Sequence, residues 1–231
     1  MDNGCIIDRL KRKTIVTGHY GSGKTEFAIS LALKIQHEIK AVIDLDIVNP
    51  YFRSREQRKL LESNGISIYG SVYKEEITAE LPALGANIRA PLENNDCKVI
   101  IDLGGNDTGA LILNQFAKYF TPVDTTVLIV VNTNRPETST EDGIINHISA
   151  IENITNLTLS YIINNTHMLR ETTAKDISAG YELCKKVSEI TKKPILCSCY
   201  PEGIVDPGKL PELKNNLMPL GLYLRPTWLD K

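Results

Sequence analysis

The residues with the plainest chemical meaning are Gly18, His19, Tyr20, Gly21, Ser22, Gly23, Lys24 and Thr25, which match the pattern G-x-x-x-x-G-K-[ST]. The pattern asks for glycine because the backbone must curl until successive N–H groups point inward, and a ring of inward N–H groups is an anion cradle. Lys24 adds an ammonium for the β and γ phosphates of a nucleotide, and Thr25 offers a hydroxyl of the kind that holds Mg2+. A strand must deliver this loop and a helix must leave it. Both signals are present, since the apolar run Thr14–Thr17 precedes the loop and helical spacing follows over Thr25–Ile39. Glu26, at the head of that helix, is grouped with the loop as a cofactor-binding residue.

A cradle of this sort supplies only positive charge and hydroxyls, so the carboxylates that a Mg2+-nucleotide needs must come from other elements. Two strand ends offer them. In Val42-Ile43-Asp44-Leu45-Asp46-Ile47-Val48-Asn49-Pro50, period-two spacing puts Asp44 and Asp46 on one side of a strand's carboxyl end. Taken alone this pair also suits a turn into Asn49-Pro50, and beside a phosphate loop the chemical reading prevails. The second end is Val99-Ile100-Ile101-Asp102-Leu103-Gly104-Gly105, where Asp102 reads as an acid ordering metal-bound water and the glycines as a loop free to respond to the γ-phosphate.

The elements that position these residues are legible as an alternation. Continuous apolar, β-branched runs at Thr14–Thr17, Ala41–Leu45, Lys98–Leu103, Thr126–Val131, Leu157–Ile163 and Pro194–Ser198 read as strands buried on both faces. Between them helical spacing covers Thr25–Ile39, Gly109–Tyr119, Ser139–Asn153 and Thr173–Thr191, with a shorter helix at Arg53–Ser63. The expectation is an α/β fold: a three-layer, doubly wound, mostly parallel sheet with helices on both faces, in one nucleotide-binding domain over residues 1–231. Segment 66–96 reads as a short extra strand and an irregular excursion, with apolar pieces at Ile66–Tyr69 and Ile77–Leu84 broken by Gly70, Pro82, Gly85 and Pro91. The proline-rich stretch from Pro201 to Pro226 reads as a wrapping tail.

Composition narrows the classes of partner. With 26 Lys+Arg against 28 Asp+Glu, the net charge of −2 removes the usual electrostatic case for nucleic acid or a membrane surface. No apolar run approaches a membrane span, and Met1–Asp8 lacks the charged and apolar regions of a leader, so a cytoplasmic location is expected. The five cysteines are odd in number and scattered, hence reduced thiols. Cys197 and Cys199 lie on one side of a strand end and could share a soft metal with a second chain, although packing is the commoner use of buried cysteine. His37, His147 and His167 have no metal-ligand spacing and are read as structural or solvent-facing.

With these residues in view, the chain resembles the SIMIBI class of P-loop NTPases, in its MinD/ParA/CobQ/CobB-like branch, over roughly residues 13–205. The likeness rests on the phosphate loop, Asp44-x-Asp46, Asp102-x-Gly104-Gly105 and the stretch Arg135-Pro136-Glu137-Thr138-Ser139-Thr140-Glu141-Asp142. It implies ATP and Mg2+ as cofactors, Lys24 and Asp46 as catalytic residues with Asp46 polarising the attacking water, and Thr25, Asp44 and Asp102 around the metal. One departure concerns the signature lysine of MinD-like ATPases, which reaches a partner's phosphates across a dimer. His19 stands in its place with Tyr20 beside it, and an imidazole is a shorter and weaker phosphate clamp. A nucleotide-sandwich homodimer is weakened accordingly, and Arg53 or Arg55 is a substitute arginine finger or a solvated first helical turn.

The base is expected at the loop after Tyr161-Ile162-Ile163, where Asn164 and Asn165 could bond adenine or simply form a turn. Guanine is normally read by Asn-Lys-x-Asp; counted from Asn164 the acidic slot holds His167, which cannot accept from two N–H donors, so ATP is favoured over GTP. Pro201, in Cys199-Tyr200-Pro201-Glu202-Gly203, would close the other side of that pocket. The reading is a Mg2+-dependent ATPase acting as a conformational switch or partner-release device on an unidentified protein or small molecule. Two alternatives stay open: an ATP-dependent small-molecule kinase or synthetase of the dethiobiotin-synthetase-like type, and a non-hydrolysing nucleotide-gated scaffold or metal-insertion helper.

Overall fold

Each buried run of β-branched residues becomes a strand, and the strands join in one sheet. The computed structural model describes residues 6, 8–46, 54–70, 85–105 and 107–224. In chain order its elements are β1 (Lys13–Thr17), α1 (Lys24–Lys34), β2 (Ile39–Leu45), α2 (Arg58–Ser63), β3 (Ser67–Gly70), α3 (Gly85–Glu93), β4 (Lys98–Leu103) and α4 (Asp107–Asn114). There follow β5 (Thr125–Val131), α5 (Glu141–Thr155), β6 (Tyr161–Asn164), α6 (Ala174–Thr191), β7 (Ile195–Pro201) and β8 (Leu217–Leu220). The strand order is β3-β2-β4-β1-β5-β6-β7-β8, and every pairing is parallel.

Alternation along each strand divides the core into two layers, because successive side chains leave opposite faces. Val16, Val42, Ile100, Leu128 and Val130 pack with Phe27 and Leu31 of α1 and Leu61 of α2. Ile15, Ile43, Ile101, Val127 and Ile129 pack on the other face against α3, α4, α5 and α6 through Ile88, Ile112, Ile144 and Cys184. On α6 the buried residues Ile177, Gly180, Cys184 and Val187 fall at helical spacing, and Thr173 with Asp176 forms a capping box at its start.

The structure departs from the sequence reading in four places. Helix α1 stops at Lys34, and β2 starts at Ile39 after a turn in which Ile39 N–H bonds Ile35 O at 3.0 Å. α3 lies where an irregular excursion was expected and carries Pro91 within it; Arg12 Nη2 donates to Leu92 O at 3.1 Å and so holds its end. Strand β8 forms inside the proline-rich tail, pairing Ser198↔Leu217 through Pro201↔Leu220 with β7. Beyond it the tail does wrap, with Gly221 N–H on Ser30 Oγ at 3.2 Å and Leu224 N–H on Glu26 Oε2 at 3.3 Å. The expected pieces Asn49-Pro50, Arg53 and Ile77–Leu84 lie outside the described residues. No helix among the described residues is long and apolar enough to cross a membrane.

Candidate functional site

The loop between β1 and α1 is shaped by side chains that draw its carbonyls outward. Gly21 O accepts from Arg135 Nε at 3.0 Å and Asn132 Nδ2 at 3.4 Å, and Ser22 O accepts from Asn165 Nδ2 at 2.8 Å. When a peptide's carbonyl turns one way its N–H turns the other, so the bond on Ser22 O turns the Gly23 N–H towards the cradle, while the Ser22 N–H closes a turn on His19 O at 3.0 Å. Gly23 sits at φ +80° and starts α1 without a side-chain cap, which leaves the first-turn N–H groups to an external acceptor.

Below the loop, register brings the acids together. Asp44 on β2 pairs with Asp102 on β4, so their side chains leave the same face of adjacent strands. Asp46 follows two residues on, its N–H bonded to Asp44 Oδ1 at 3.1 Å. Lys24 Nζ lies 2.7 Å from Asp46 Oδ2, and both side chains are buried. Asp102 is 0% exposed, and among the described residues neither carboxylate oxygen has a partner at full hydrogen-bond geometry, the nearby Thr25 hydroxyl included. Burial pushes its pKa up; Lys24 and the Thr25 hydroxyl pull it down, while Asp44 and Asp46 push it further up. Asp44, Asp46 and Asp102 are thus gathered with the Lys24 ammonium in one buried cluster below the loop.

The chemistry of the donors is the test of fit for Mg2+. Thr25, Asp44 and Asp102 are hard oxygen donors, and the buried Asp102 oxygens, without a hydrogen-bond partner among the described residues, suit a cation or the water that a cation carries. Among the described residues no three His, Cys, Asp or Glu side chains form a ready metal cage, so a ligand's own oxygens must share in the site. The free thiols Cys97, Cys184, Cys197 and Cys199 are all buried in the two core layers, and Cys5 lies outside the described residues.

The glycines after β4 touch the loop directly. A Cβ on Gly105 would stand 1.7 Å from Gly18 O, and one on Gly18 would stand 2.4 Å from Val130 O. No side chain fits between these backbones, so displacement of either loop is felt by the other.

Other expected residues sit differently. His19 is turned towards the β5–α5 connection, its Nδ1 3.6 Å from Glu137 Oε2 and its ring edge-on to His147 at 5.6 Å. Tyr20 is 67% exposed. The Glu26 carboxylate accepts from the N–H groups of Tyr223 and Leu224, so its expected place in the cofactor site falls to its backbone N–H in the first turn of α1. A carboxylate at the anion cradle would be repelled, and here it anchors the tail. Asn164 is corrected as a base reader: it is 0% exposed, gives its amide to Ile177 O at 3.0 Å and Ser198 Oγ at 3.1 Å, and accepts from Thr166 Oγ1 at 2.8 Å. Gly180 of α6 permits that burial, since a Cβ there would stand 2.6 Å from Asn164 Oδ1. Pro201 is also corrected, being the buried last residue of β7, paired with Leu220, rather than part of a loop closing a pocket. Arg53 lies outside the described residues, and the side chain of Arg55 is likewise outside the description.

The hold of Asn132 and Arg135 on Gly21 O is the feature that sequence reading did not give, although Arg135 stands in the stretch quoted for the resemblance. The available signal was the polar run Asn132-Thr133-Asn134-Arg135 directly after a wholly apolar strand.

Two histidines beside the loop lend the chain an acid sensitivity. Burial first, and then the neighbouring charge of His19 or Arg135, pulls His147 and His167 down to about 4. In the unfolded chain each titrates near its ordinary value, so stability is fully present above about 6.5 and is lost as pH falls towards 4. We expect each to remove about 2 kcal/mol between pH 7 and pH 5. Glu26, raised by burial to about 7, acts in the opposite sense because its burial cost is relieved as it protonates. Urea unfolding of His147→Gln at the two pH values isolates one histidine, and a pH dependence equal to that of the native chain would count against this account.

The fold matches solved structures across most of the chain. Cell division protein FtsY from Thermotoga maritima superimposes with a TM-score of 0.58 at 17% identity, over 92% of this chain and 75% of that one. The signal recognition particle receptor FtsY from Elizabethkingia anophelis, in complex with GDP, gives 0.53 at 15% identity over 87% of this chain and 64% of that one. The signal recognition particle 54 kDa protein from Aeropyrum pernix, also in complex with GDP, gives 0.52 at 18% identity over 80% and 40%. No family model matches the chain and no curated protein is similar to it. At such identities the likeness is one of fold alone.

Proposed function

We propose that this chain, built on a SIMIBI-class fold, is a Mg2+-dependent nucleoside triphosphatase that prefers ATP and works as a conformational switch. The observation that supports it is the buried Lys24–Asp46 pair at 2.7 Å beside the unpartnered Asp102, under a loop already turned to receive an anion. Thr25, Asp44 and Asp102 are the residues that would hold Mg2+, and the ion, when bound, withdraws charge from phosphoryl oxygens. The chain's own residues divide the remaining work. Loop amides and the open start of α1 hold the phosphates. Lys24 leaves Asp46 for the β and γ oxygens, and the freed Asp46 Oδ2 can then accept a hydrogen bond from an attacking water and orient it. The contact of Gly105 with Gly18 gives a path by which the phosphate loop displaces the segment after β4.

The preference for ATP rests on the loop after β6. Of the two asparagines expected there, Asn165 is the one that touches the phosphate loop. Counted from Asn165, the fourth residue is Met168, half exposed and no more able than His167 to accept from the guanine edge. Guanine nucleotides are the direct competitor, because two of the similar structures hold GDP. Calorimetric titration with Mg·ATP and Mg·GTP, together with phosphate release, tests the reading. ATP should bind more tightly and be hydrolysed; tighter binding of GTP overturns the base choice, and binding of neither overturns the function.

A further inference from the structure

We infer that Arg135 is the platform on which the nucleoside end of the bound nucleotide packs, an inference that rests on the nucleotide reading above. Arg135 lies in the connection from β5 to α5 and spends its Nε on Gly21 O at 3.0 Å. Its remaining geometry is unusual for a surface arginine. A Cβ built on Gly21 would stand 2.8 Å from Nε, 2.9 Å from Cζ and 3.2 Å from Nη2. The central carbon is nearly as close as the nitrogens, so the place a Gly21 side chain would take lies over a face of the guanidinium, while the Nε edge is held by Gly21 O. Gly21, at φ +75°, is the residue that makes room for it. The residue is exposed, and a ligand can reach it.

The location decides which part of a ligand meets that face. Arg135 sits on the side towards which the carbonyls of Gly21 and Ser22 point, whereas phosphates sit on the side of the amides. The same flank is walled by the loop after β6: Asn165 holds Ser22 O, and His167 Nε2 is buried without a partner, 3.2 Å from where a Cβ on Gly23 would be. What reaches this flank is the end of the nucleotide that leaves the cradle, and its flat part is the base. A guanidinium plane stacks on an aromatic base with little regard for the groups on the base's edge. Arg135 thus contributes affinity for any purine, while the choice between purines falls to the loop after β6.

The experiment compares the native chain, Arg135→Ala and Arg135→Lys by calorimetry with Mg·ATP and with inorganic tripolyphosphate, which has no nucleoside. Arg135→Ala should weaken ATP binding about five- to thirty-fold and leave tripolyphosphate within about twofold, because Asn132 still serves Gly21 O. Arg135→Lys keeps the charge without the flat face and should recover only a minor part of the loss. A parallel loss for tripolyphosphate would reduce Arg135 to a support of the loop and overturn the inference, as would unchanged ATP binding in Arg135→Ala. Failure of the nucleotide reading shows itself separately, as a native chain that binds neither ligand before any variant is compared.

Discussion

Asp46→Asn is expected to hold Mg·ATP more tightly than the native chain while hydrolysing it at least about a hundredfold more slowly. Both effects follow from one contact. In the free chain the Lys24 ammonium is 2.7 Å from Asp46 Oδ2, with both side chains shielded from water, so an incoming triphosphate must compete with a carboxylate for that cation. The amide removes the competitor and keeps the shape, and a gain in affinity of about tenfold is the scale of one weakened charge contact. The same substitution removes the acceptor that would orient water, the source of the expected loss in turnover. The free variant should also be less stable, because a buried ammonium is left with weaker compensation; loss of a buried pair's partner costs about 3–5 kcal/mol where nothing replaces it. Here Asp44 and Asp102 remain close by, so the lower end of that range is expected. Phosphate release and calorimetry on the same preparation check the claim, and tighter binding without slower turnover would remove Asp46 from catalysis.

Asp102→Asn should act in the reverse sense on the free chain. Asp102 is fully buried, its oxygens have no partner at full hydrogen-bond geometry among the described residues, and Asp44 and Asp46 add repulsion to the cost of burial. Replacing the carboxylate by an isosteric amide relieves that charge, and a gain of about 1–3 kcal/mol in the absence of ligand is expected. In a chain of this length that gain corresponds to a rise in melting temperature of about 2–10 °C. With Mg·ATP present the order reverses, because the variant has lost the charge that matches the ion, and most of the Mg2+-dependent stabilisation should vanish. Thermal unfolding with and without Mg·ATP gives both results in one series. A free variant that melts below the native chain would mean that Asp102 is compensated by contacts other than a cation.

The legible part of the fold is the part in which local chemistry and the sheet agree. Strands β1, β4 and β5 read as continuous apolar runs because both their faces are covered, and their burial is complete or nearly so. Strand β8 was not legible, since Leu217-Met218-Pro219-Leu220 is short and holds a proline; it is a strand because the edge of β7 accepts it, and an edge tolerates a residue that cannot donate on its outer side. Helix α3 was illegible for a similar reason, with Gly85 and Pro91 arguing locally against it and Arg12 holding its far end from another strand's approach.

At the site the division is sharper. The phosphate loop, Asp44, Asp46 and Asp102 were chosen from spacing alone, because a phosphate loop is a local motif and a strand's carboxyl end is a local position. Their meeting is not local: the parallel register sets Asp44 beside Asp102, and the reach of Lys24 closes on Asp46. Asn164 and Asn165 look alike in the chain, yet Gly180 lets α6 bury the first while the second turns to Ser22. Glu26 follows the loop in sequence but belongs to the tail in space.

By itself, then, the order of residues determined the alternating strands and helices, the anion-binding loop and the acids at two strand ends, because each of these depends on neighbours within a few positions. Only the tertiary structure decided which acid meets Lys24, which of Asn164 and Asn165 holds the loop and that Arg135 reaches Gly21 O. Those choices depend on strand register and on how closely glycine lets two backbones approach, and both are properties of segments far apart in the chain.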